Sequence, residues 1–480
     1  MLVKHEMGND ECHCQSFGSE CENAFVRHTV AAIRTGASKR HSPLRRVKEL
    51  KTCHRRILVA AVLVAAMLVP RTTGAYSVFT HEELIDLTWR SAIRPLLVER
   101  FPGSTDAQLR EAHAFAYGGC DAQDMGYYPF GNKFFSQLTH YVRPGDFINN
   151  LFRESRNVNE YAFAIGALSH YIGDSIGHSV AVNPSTGINF PALARKFGPI
   201  VTYDENPHAH VRTEYAFDIG QLSKRAFAPP AFMRFIGFRV PRGLLERAFV
   251  ATYGIEVREL VGKTLPAVRS YRTSVRTLIP IFSNAEIVLH GKQFAPDTDS
   301  DEYRRFAKQL QQADYERHWA YTYRSPGFGS HLLAIVIKVI PKIGPASYLA
   351  IKIPDAQTES LYIESVNRSA DNYRHLLDRL ETHPAAVLDP PNRDLDTGAK
   401  VKAGAYALAD DTYAKLVDRL TSDPNRTIPN GLRENILEYY GDLSAPISTK
   451  KHPREWKRLT SELQVMAEMK SADALALPSD

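Results

Sequence analysis

The chain has 480 residues, of which 44% are hydrophobic and 23% charged, a composition that excludes a disordered or fibrous protein and allows more than one ordinary domain. Lysine and arginine number 59 against 53 aspartates and glutamates, but the first 75 residues hold 12 of the basic and 6 of the acidic side chains, which leaves 47 of each. A formally neutral remainder gives no electrostatic argument for nucleic-acid binding.

The N-terminal region has the pattern of an export signal. Residues 1–56 lack hydrophobic periodicity and are predicted to be an unstructured leader, which a start codon assigned too early would explain. Residues 57–75 are predicted to be a signal peptide, because Arg55-Arg56 precedes a run of thirteen apolar residues and small residues follow. This run is shorter than the roughly 20 residues of a membrane-spanning helix, so an anchor is the less favoured alternative. Cleavage after Ala75 would make the protein secreted or periplasmic.

Cleavage would also change the cysteine content. Of the five cysteines, those at positions 12, 14, 21 and 53 would be removed, and only Cys120 would remain. The mature protein is therefore predicted to lack an internal disulfide. A bound metal is then a natural means of stabilising an exported chain.

The most informative segment runs from His170 to His178 and follows the apolar residues 161–168. Residues four apart share one face of a helix, so His170, Asp174 and His178 form a row. A lone histidine on an apolar helix is usually a hydrogen-bonded core residue. Three buried polar groups without partners, however, would each cost about 1–3 kcal/mol. A metal ion satisfies them together, and imidazole and carboxylate groups are common zinc ligands.

Further candidate ligands lie on both sides of this row. His81 lies five residues after Tyr76, so an α-amine freed by cleavage would come within reach of an ion bound to that imidazole. The other candidates are Asp124, His140, His210 and Glu214, the last two again four residues apart.

Two of these assignments have alternatives in the sequence. Asp121 is an alternative ligand to Asp124, and Asp124 is favoured because it adjoins the turn at residue 126. His208 is an alternative to His210, and His210 is favoured because it lies four residues before Glu214. The residues alone leave both choices open.

In combination, these motifs resemble those of the zinc-dependent phospholipase C family, which is related to the trinuclear-zinc single-strand nucleases. The resemblance is carried by His-Tyr-x-Gly-Asp at 170–174, by His178 and by His-x-x-x-Glu at 210–214, and it runs from residue 76 to about residue 280. It implies an all-α fold, a multi-helix domain like that of zinc phospholipase C and these nucleases. A helical C-terminal extension follows.

The resemblance also implies three zinc ions and the ligands of each. Asp124 would in addition be catalytic, by touching or activating the attacking water. The spacing from Asp174 to His178 is shorter than in the best-known members. The first ion would be held by the main chain of Tyr76 and by His81, with Asp174 bridging to the second. The second would also be held by Asp124, His140 and His170, and the third by His178, His210 and Glu214.

Aromatic side chains near these ligands are candidates for substrate binding, either as a cation cage or as a base-stacking platform. The candidates are Tyr127, Tyr128, Phe134 and Tyr141. Phe135 is a fifth aromatic residue in this region, and about three of the five are expected to be core residues.

The predicted activity is that of a secreted zinc-dependent phospholipase C that releases diacylglycerol and a phosphorylated head group. The expected partner is a phospholipid or a membrane surface, and neither nucleic acid nor a protein partner is favoured. A single-strand nuclease or nucleotidase is the alternative. A non-catalytic metal-binding protein is disfavoured because every expected ligand type is present.

The remaining chain is predicted to be helical. Residues 76–295 would form the catalytic domain, and residues 301–480 a C-terminal region of unknown role. Apolar residues at three- and four-residue steps predict helices at Arg242–Tyr253, Ala267–Leu278, Asp301–Thr322 and Gln357–Leu380.

Two segments of this region invite a closer interpretation. Residues 332–345 are apolar with interspersed lysines, and prolines at 341 and 345 exclude a continuous spanning helix. A buried helix and a lipid-contacting surface element are equally favoured there. The acidic turn from Asp394 to Gly398 is expected to be a solvated loop rather than an ion site.

Overall fold

The computed structural model describes residues 77–228, 236–294, 299–313, 326–339, 350–382, 388 and 390–472. The predicted leader, the predicted signal peptide and Tyr76 lie outside these residues. Within the described part the backbone is predominantly helical, with two strands of two residues each, which confirms the all-α fold class. Among the described helices, none is both long enough and apolar enough to cross a lipid bilayer.

The helices are numbered in chain order. The first nine are α1 Val78–Thr88, α2 Arg94–Arg100, α3 Asp106–Gly119, α4 Lys133–Tyr141, α5 Pro144–Glu154, α6 Val158–Gly177, α7 Asn183–Asn189, α8 Pro191–Phe197 and α9 Pro207–Ser223. The next six are α10 Arg242–Tyr253, α11 Val257–Val261, α12 Thr264–Thr273, α13 Ile279–His290, α14 Asp301–Ala313 and α15 Phe328–Val339. The last four are α16 Ala356–Thr382, α17 Ala407–Thr421, α18 Leu432–Tyr439 and α19 Pro453–Glu468.

Short irregular turns and one small strand pair complete the described backbone. The π-helical turns are Trp89–Ile93, His178–Val182 and Ser274–Leu278, and the 3-10 turns are Gln123–Tyr127 and Ser448–Lys451. Strands β1 (Ile428–Pro429) and β2 (Ser471–Ala472) pair in parallel, with Ile428 opposite Ser471.

The predicted helices are present, with some ends shifted. Helix α10 has the predicted bounds. The pattern at 267–278 is part of a longer segment, because α12 continues through the π-helical turn into α13. Helix α14 ends at Ala313, and the rest of that prediction falls on residues 314–325, which are not described. Helix α16 exceeds its prediction by one residue at the start and two at the end.

Asparagine side chains begin three of the central helices. Asn132 accepts a hydrogen bond from the Phe134 amide at the start of α4, and Asn157 accepts two at the start of α6. Asn206 accepts one from the Ala209 amide at the start of α9. Such caps stabilise a helix by about 1 kcal/mol each, because they satisfy amides that have no partner within the helix.

Helices α3 and α6 cross at backbone contact, and glycine makes this possible. A Cβ atom on Gly166 would lie 2.0 Å from the Ala116 carbonyl oxygen, and one on Gly119 would lie 2.1 Å from the Phe163 carbonyl oxygen. Any larger residue would therefore force the helices apart. The close approach brings the end of α3 beside the second half of α6.

The C-terminal helices pack on the same apolar core as the N-terminal ones, since the core extends from Val78 to Met469. The Tyr373 hydroxyl of α16 donates to the Ile165 carbonyl of α6 at 2.8 Å. Helix α16 also meets α1, where the Tyr362 and Thr80 hydroxyl oxygens are 2.9 Å apart. The division of the chain near residue 295 stays a prediction.

Candidate metal centre

The predicted ligand residues that the structure describes come together at one buried centre. All eight are at most 3% exposed. Their ligand atoms form three groups, and within each group these atoms lie within 4.8 Å of one another. The groups are His81, His170 and Asp174; Asp124, His140 and His170; and His178, His210 and Glu214.

The carboxylate of Asp174 links the first two groups. Its Oδ1 lies 3.2 Å from the Nε2 of His81. Its Oδ2 lies 3.1 Å from the Nε2 of His170 and 3.3 Å from that of His140. The two oxygens therefore face different histidines, as a carboxylate that bridges two ions must. Asp124 completes the second group, with its Oδ1 3.3 Å from the His140 Nε2.

The third group lies where α6 ends. His178 is the first residue of a π-helical turn, and its Nε2 lies 3.4 Å from the Oε1 of Glu214. His210, one turn before Glu214 on α9, places its Nε2 2.7 Å from the same oxygen. The row predicted on α6 is thus divided, because His170 and Asp174 serve one part of the centre and His178 another.

Backbone carbonyls orient three of the histidine rings. The Nδ1 atoms of His140 and His170 lie 2.7 Å from the Ser136 oxygen and 3.0 Å from the Cys120 oxygen. The Nδ1 of His178 lies 2.7 Å from the Leu395 oxygen. A carbonyl oxygen only accepts, so Nδ1 carries the hydrogen in each ring. The Nε2 of the neutral ring then presents a lone pair to the centre.

The oxygen and nitrogen atoms of these side chains are suited to bind a metal ion. Both Asp174 oxygens, Asp124 Oδ1, His178 Nε2 and Glu214 Oε1 are buried and have no hydrogen-bond partner among the described residues. Lone pairs of imidazole and carboxylate oppose one another at these distances unless a cation lies between them or one of the two groups is protonated. Three histidine-rich groups without cysteine match the nitrogen and oxygen ligands that zinc accepts.

Burial and neighbouring charges shift the acid–base behaviour of the centre. Burial would raise the pKa of Asp174, but His170 and the contacts of His140 and His81 hold it well below its ordinary value. Burial raises the pKa of Glu214 to about 8 and lowers that of His210 to about 4. Glu214 is therefore largely protonated in the metal-free protein at neutral pH, and a metal that binds it must displace this proton.

A buried carboxylate that the sequence analysis missed anchors the start of the described chain. Asp218 on α9 accepts hydrogen bonds from the Phe79 amide at 2.9 Å and from the Thr80 amide at 3.1 Å. The Thr80 hydroxyl donates to it at 2.6 Å, and Ser77 also contacts it. These contacts hold the first turn of α1, and so His81, against α9. No spacing in the sequence relates two positions 138 residues apart.

The structure also separates the competing candidates. Asp121 accepts the Tyr128 hydroxyl at 2.6 Å and is in none of the three groups, whereas Asp124 is in one. His208 is exposed, whereas His210 is fully buried in the centre.

Two of the four aromatic candidates for substrate binding are buried in the protein interior. Tyr128 is 3% exposed, and its ring packs beside Tyr271. Tyr141 is 1% exposed and donates its hydroxyl to Asp396. Tyr127 is 9% exposed at the edge of His140, and Phe134 is half-buried, so a substrate role for these two stays a prediction.

The prediction that residues 394–398 form a solvated loop is wrong. Asp394 and Asp396 are each 3% exposed, because the turn packs against α6. The hydrogen bond between His178 and Leu395 is part of this contact. The acidic pattern was visible in the sequence, but no local signal shows what a turn packs against.

Comparison with known proteins finds a family that is similar to part of this chain. Residues 80–260 match the family model described as zinc dependent phospholipase C. The match contains all eight described ligand candidates and ends before the turn at 394–398. Neither the curated proteins nor the solved structures contain a match to this chain.

We expect Asp174→Asn to lower the metal content by at least one ion per chain, because it removes the charge that faces His81, His140 and His170. Atomic emission of the dialysed protein measures this. Asp121→Asn is the matched control, since burial raises the pKa of Asp121 and the neutral amide resembles its protonated form. Full metal content in Asp174→Asn would contradict the bridging assignment.

We expect Asp218→Asn to change how stability depends on pH. Burial raises the pKa of Asp218 from 3.8 to about 6. A group with a raised folded-state pKa stabilises the fold below its unfolded pKa, and this stabilisation is lost as the pH rises through the folded value. The difference in free energy of unfolding, wild type minus variant, should therefore decrease by about 3 kcal/mol as the pH rises from about 4 to about 6. Urea unfolding in metal-free buffer measures it, and a constant difference would refute the assigned pKa.

Proposed function

We propose that this protein is an exported, zinc-dependent enzyme that cleaves a glycerophospholipid into diacylglycerol and a phosphorylated head group. Support comes from residues 80–260, which match the zinc-dependent phospholipase C family. The family is one of phosphoric diester hydrolases, so the chain is a zinc-dependent hydrolase. The observation that carries the proposal is the bridging position of Asp174 between two groups of buried histidines.

We assign one zinc ion to each of the three groups. When bound, zinc lowers the pKa of water and neutralises the negative charge that develops on a phosphoryl group. Asp174 holds the imidazoles of His81 and His140 on its two sides. Asp124 Oδ1 is available to accept a proton from the attacking water, because it accepts no hydrogen bond from the described residues. These electrostatic interactions are stronger because the ligand side chains are buried away from water.

We further propose that cleavage after Ala75 exports the protein and frees the Tyr76 amine as a ligand. Support comes from Asp218, which anchors the chain immediately after residue 76 to α9. The same contacts position His81, which lies in the first group. The new N-terminus would therefore begin one residue before a fixed segment at the metal centre.

The proposed lipid substrate agrees with an exposed apolar stripe on α15. Ala334 and Ile337 pack against Phe282 and Ala285 of α13. The opposite face leaves four apolar side chains in solvent, spaced by four, three and four residues so that they share one side of the helix. They are Phe328 (86% exposed), Leu332 (54%), Ile335 (61%) and Val339 (70%). The same helix carries an exposed lysine, Lys338, in its last turn. An exposed apolar stripe on a helix with a basic residue is typical of helices that lie on a bilayer surface.

The activity is tested with the zinc-loaded protein that begins at Tyr76. We expect it to release diacylglycerol from phospholipid vesicles and to leave single-stranded DNA intact. Chelation should abolish the reaction and zinc should restore it. A second protein, extended by one residue before Tyr76, should lose one ion and most of its activity.

Two results would contradict the proposed function. Cleavage of single-stranded DNA without cleavage of lipid would assign the centre to a nuclease. Undiminished metal content and activity in the extended protein would show that Tyr76 is not a ligand.

We expect the double variant Leu332→Ser and Ile335→Ser to bind vesicles at least about tenfold more weakly, since burial of each such side chain contributes about 1.5–3 kcal/mol. Its activity on monomeric short-chain phospholipid should be unchanged. Vesicle sedimentation and both activities measure this. Leu443→Ser is the control, because Leu443 is 48% exposed and lies outside α15. An equal loss of vesicle binding in the control would refute the role of the stripe.

A further inference from the structure

The turn at 394–398 lies beyond the residues that match the family, yet it contacts two histidines of the metal centre. The Leu395 amide donates to the His140 carbonyl at 3.2 Å. The Leu395 carbonyl accepts from the His178 Nδ1 at 2.7 Å, although the two residues are 217 positions apart. One residue of the C-terminal region thus touches ligands of two different groups.

The carboxylate of Asp396 lies against the same ring of His178. Its Oδ1 is 3.4 Å from the His178 Nδ1. Its Oδ2 accepts the hydroxyls of Tyr141 at 2.8 Å and of Tyr406 at 2.5 Å. The side-chain amide of Asn183, just after the π-helical turn, donates to the Asp396 main-chain oxygen at 2.7 Å. The two tyrosines therefore hold the carboxylate, and Asn183 holds the main chain of Asp396, while the carboxylate faces the imidazole.

The turn has little freedom to move away. Asp394 Oδ1 accepts from the amides of Asp396 and Thr397, at 2.9 and 3.3 Å. Gly398 has a φ of +69° and lies so close to α6 that a Cβ atom would be 2.3 Å from the Ser175 carbonyl oxygen. The Tyr171 hydroxyl, also on α6, donates to the Pro391 carbonyl at 2.5 Å.

Asp396 is not placed to be a ligand of the ion in the third group. It faces the Nδ1 side of the His178 ring, whereas Nε2 points to Glu214. The two nitrogens of an imidazole point in different directions, so an ion at Nε2 is out of reach of a group at Nδ1. A carboxylate or carbonyl at the second ring nitrogen fixes the ring orientation and its tautomer.

We propose that Asp396 and the Leu395 carbonyl are positioning groups for His178, so that the C-terminal region completes the third metal group from outside the family domain. The proposal rests on the proposed function only in taking that group as a zinc site. Asp396 acts through His178 and touches neither substrate nor ion. The third site consequently depends on residues about 180 positions beyond Glu214 in the chain.

The experiment uses the full mature chain with Asp396→Asn and Asp396→Ala. Zinc stoichiometry and affinity are measured by competition with a chromogenic chelator, and cobalt replaces zinc for absorption spectra. We expect one ion to bind about 10–100-fold more weakly and its cobalt spectrum to change, because partners of ligand histidines contribute to this extent. The affinities of the other ions should stay at wild-type values.

Tyr406→Phe is a milder variant that keeps the ring in the core and removes the hydrogen bond to Asp396, together with the one that the hydroxyl accepts from the Asp204 amide. It should weaken the same ion by a smaller factor. Asp410→Asn is the matched control, because Asp410 is also a buried aspartate of the C-terminal region. It accepts from the Gly404 and Ser448 amides and the Tyr439 hydroxyl, and none of these partners is one of the described ligand candidates. This control should lower the melting temperature and leave every metal affinity unchanged.

Wild-type affinity for all ions in both Asp396 variants would overturn the proposal. An equal loss of the same ion in Asp410→Asn would also overturn it, since the effect would then come from general packing. Metal affinity is measured apart from phosphodiester cleavage. If the Asp396 variants lose one ion as expected while the zinc-loaded wild type cleaves no phospholipid, the role of Asp396 is supported and the proposed function alone is contradicted.

Discussion

A carboxylate at the centre of the helices, Asp174, needs positive charge on both of its sides. It is fully buried, so water does not solvate it. An uncompensated charge in such a position is costly, and a cation held between this carboxylate and the histidines at its two oxygens would compensate it. The histidines come from α1, α4 and α6, and these helices must therefore meet at this point. The close crossing of α3 and α6 through Gly119 and Gly166 contributes to this convergence.

The orientation of the histidines depends on main-chain atoms rather than on other side chains. Carbonyls of Ser136, Cys120 and Leu395 each accept from an Nδ1 atom and direct the opposite nitrogen toward the centre. Backbone positions are set by helix packing, so the ligand geometry is as well defined as the packing itself. Residues that hold the packing, such as Asp218, therefore influence the metal centre without belonging to it.

The family domain and the C-terminal region meet at this centre. Helix α16 packs against α1 and α6, and the turn at 394–398 contacts His140 and His178. The residues that match the family contain the described ligand candidates, but the neighbours of those candidates come from both parts of the chain. The candidate zinc ligands thus come from one segment, and part of the structure that supports them comes from another.

The sequence by itself determined the helical class, the helix at 242–253 and the residue types of the centre. These follow from local geometry, because a helix turns once in 3.6 residues and places His170 beside Asp174, and His210 beside Glu214, whatever else the chain does. Only the tertiary structure separated Asp124 from Asp121, buried Tyr128 and Tyr141 in the core, and brought Asp218 and Asp396 to the ligands. Those outcomes depend on how distant segments pack, and contacts across 138 or 217 residues leave no periodic trace in the sequence.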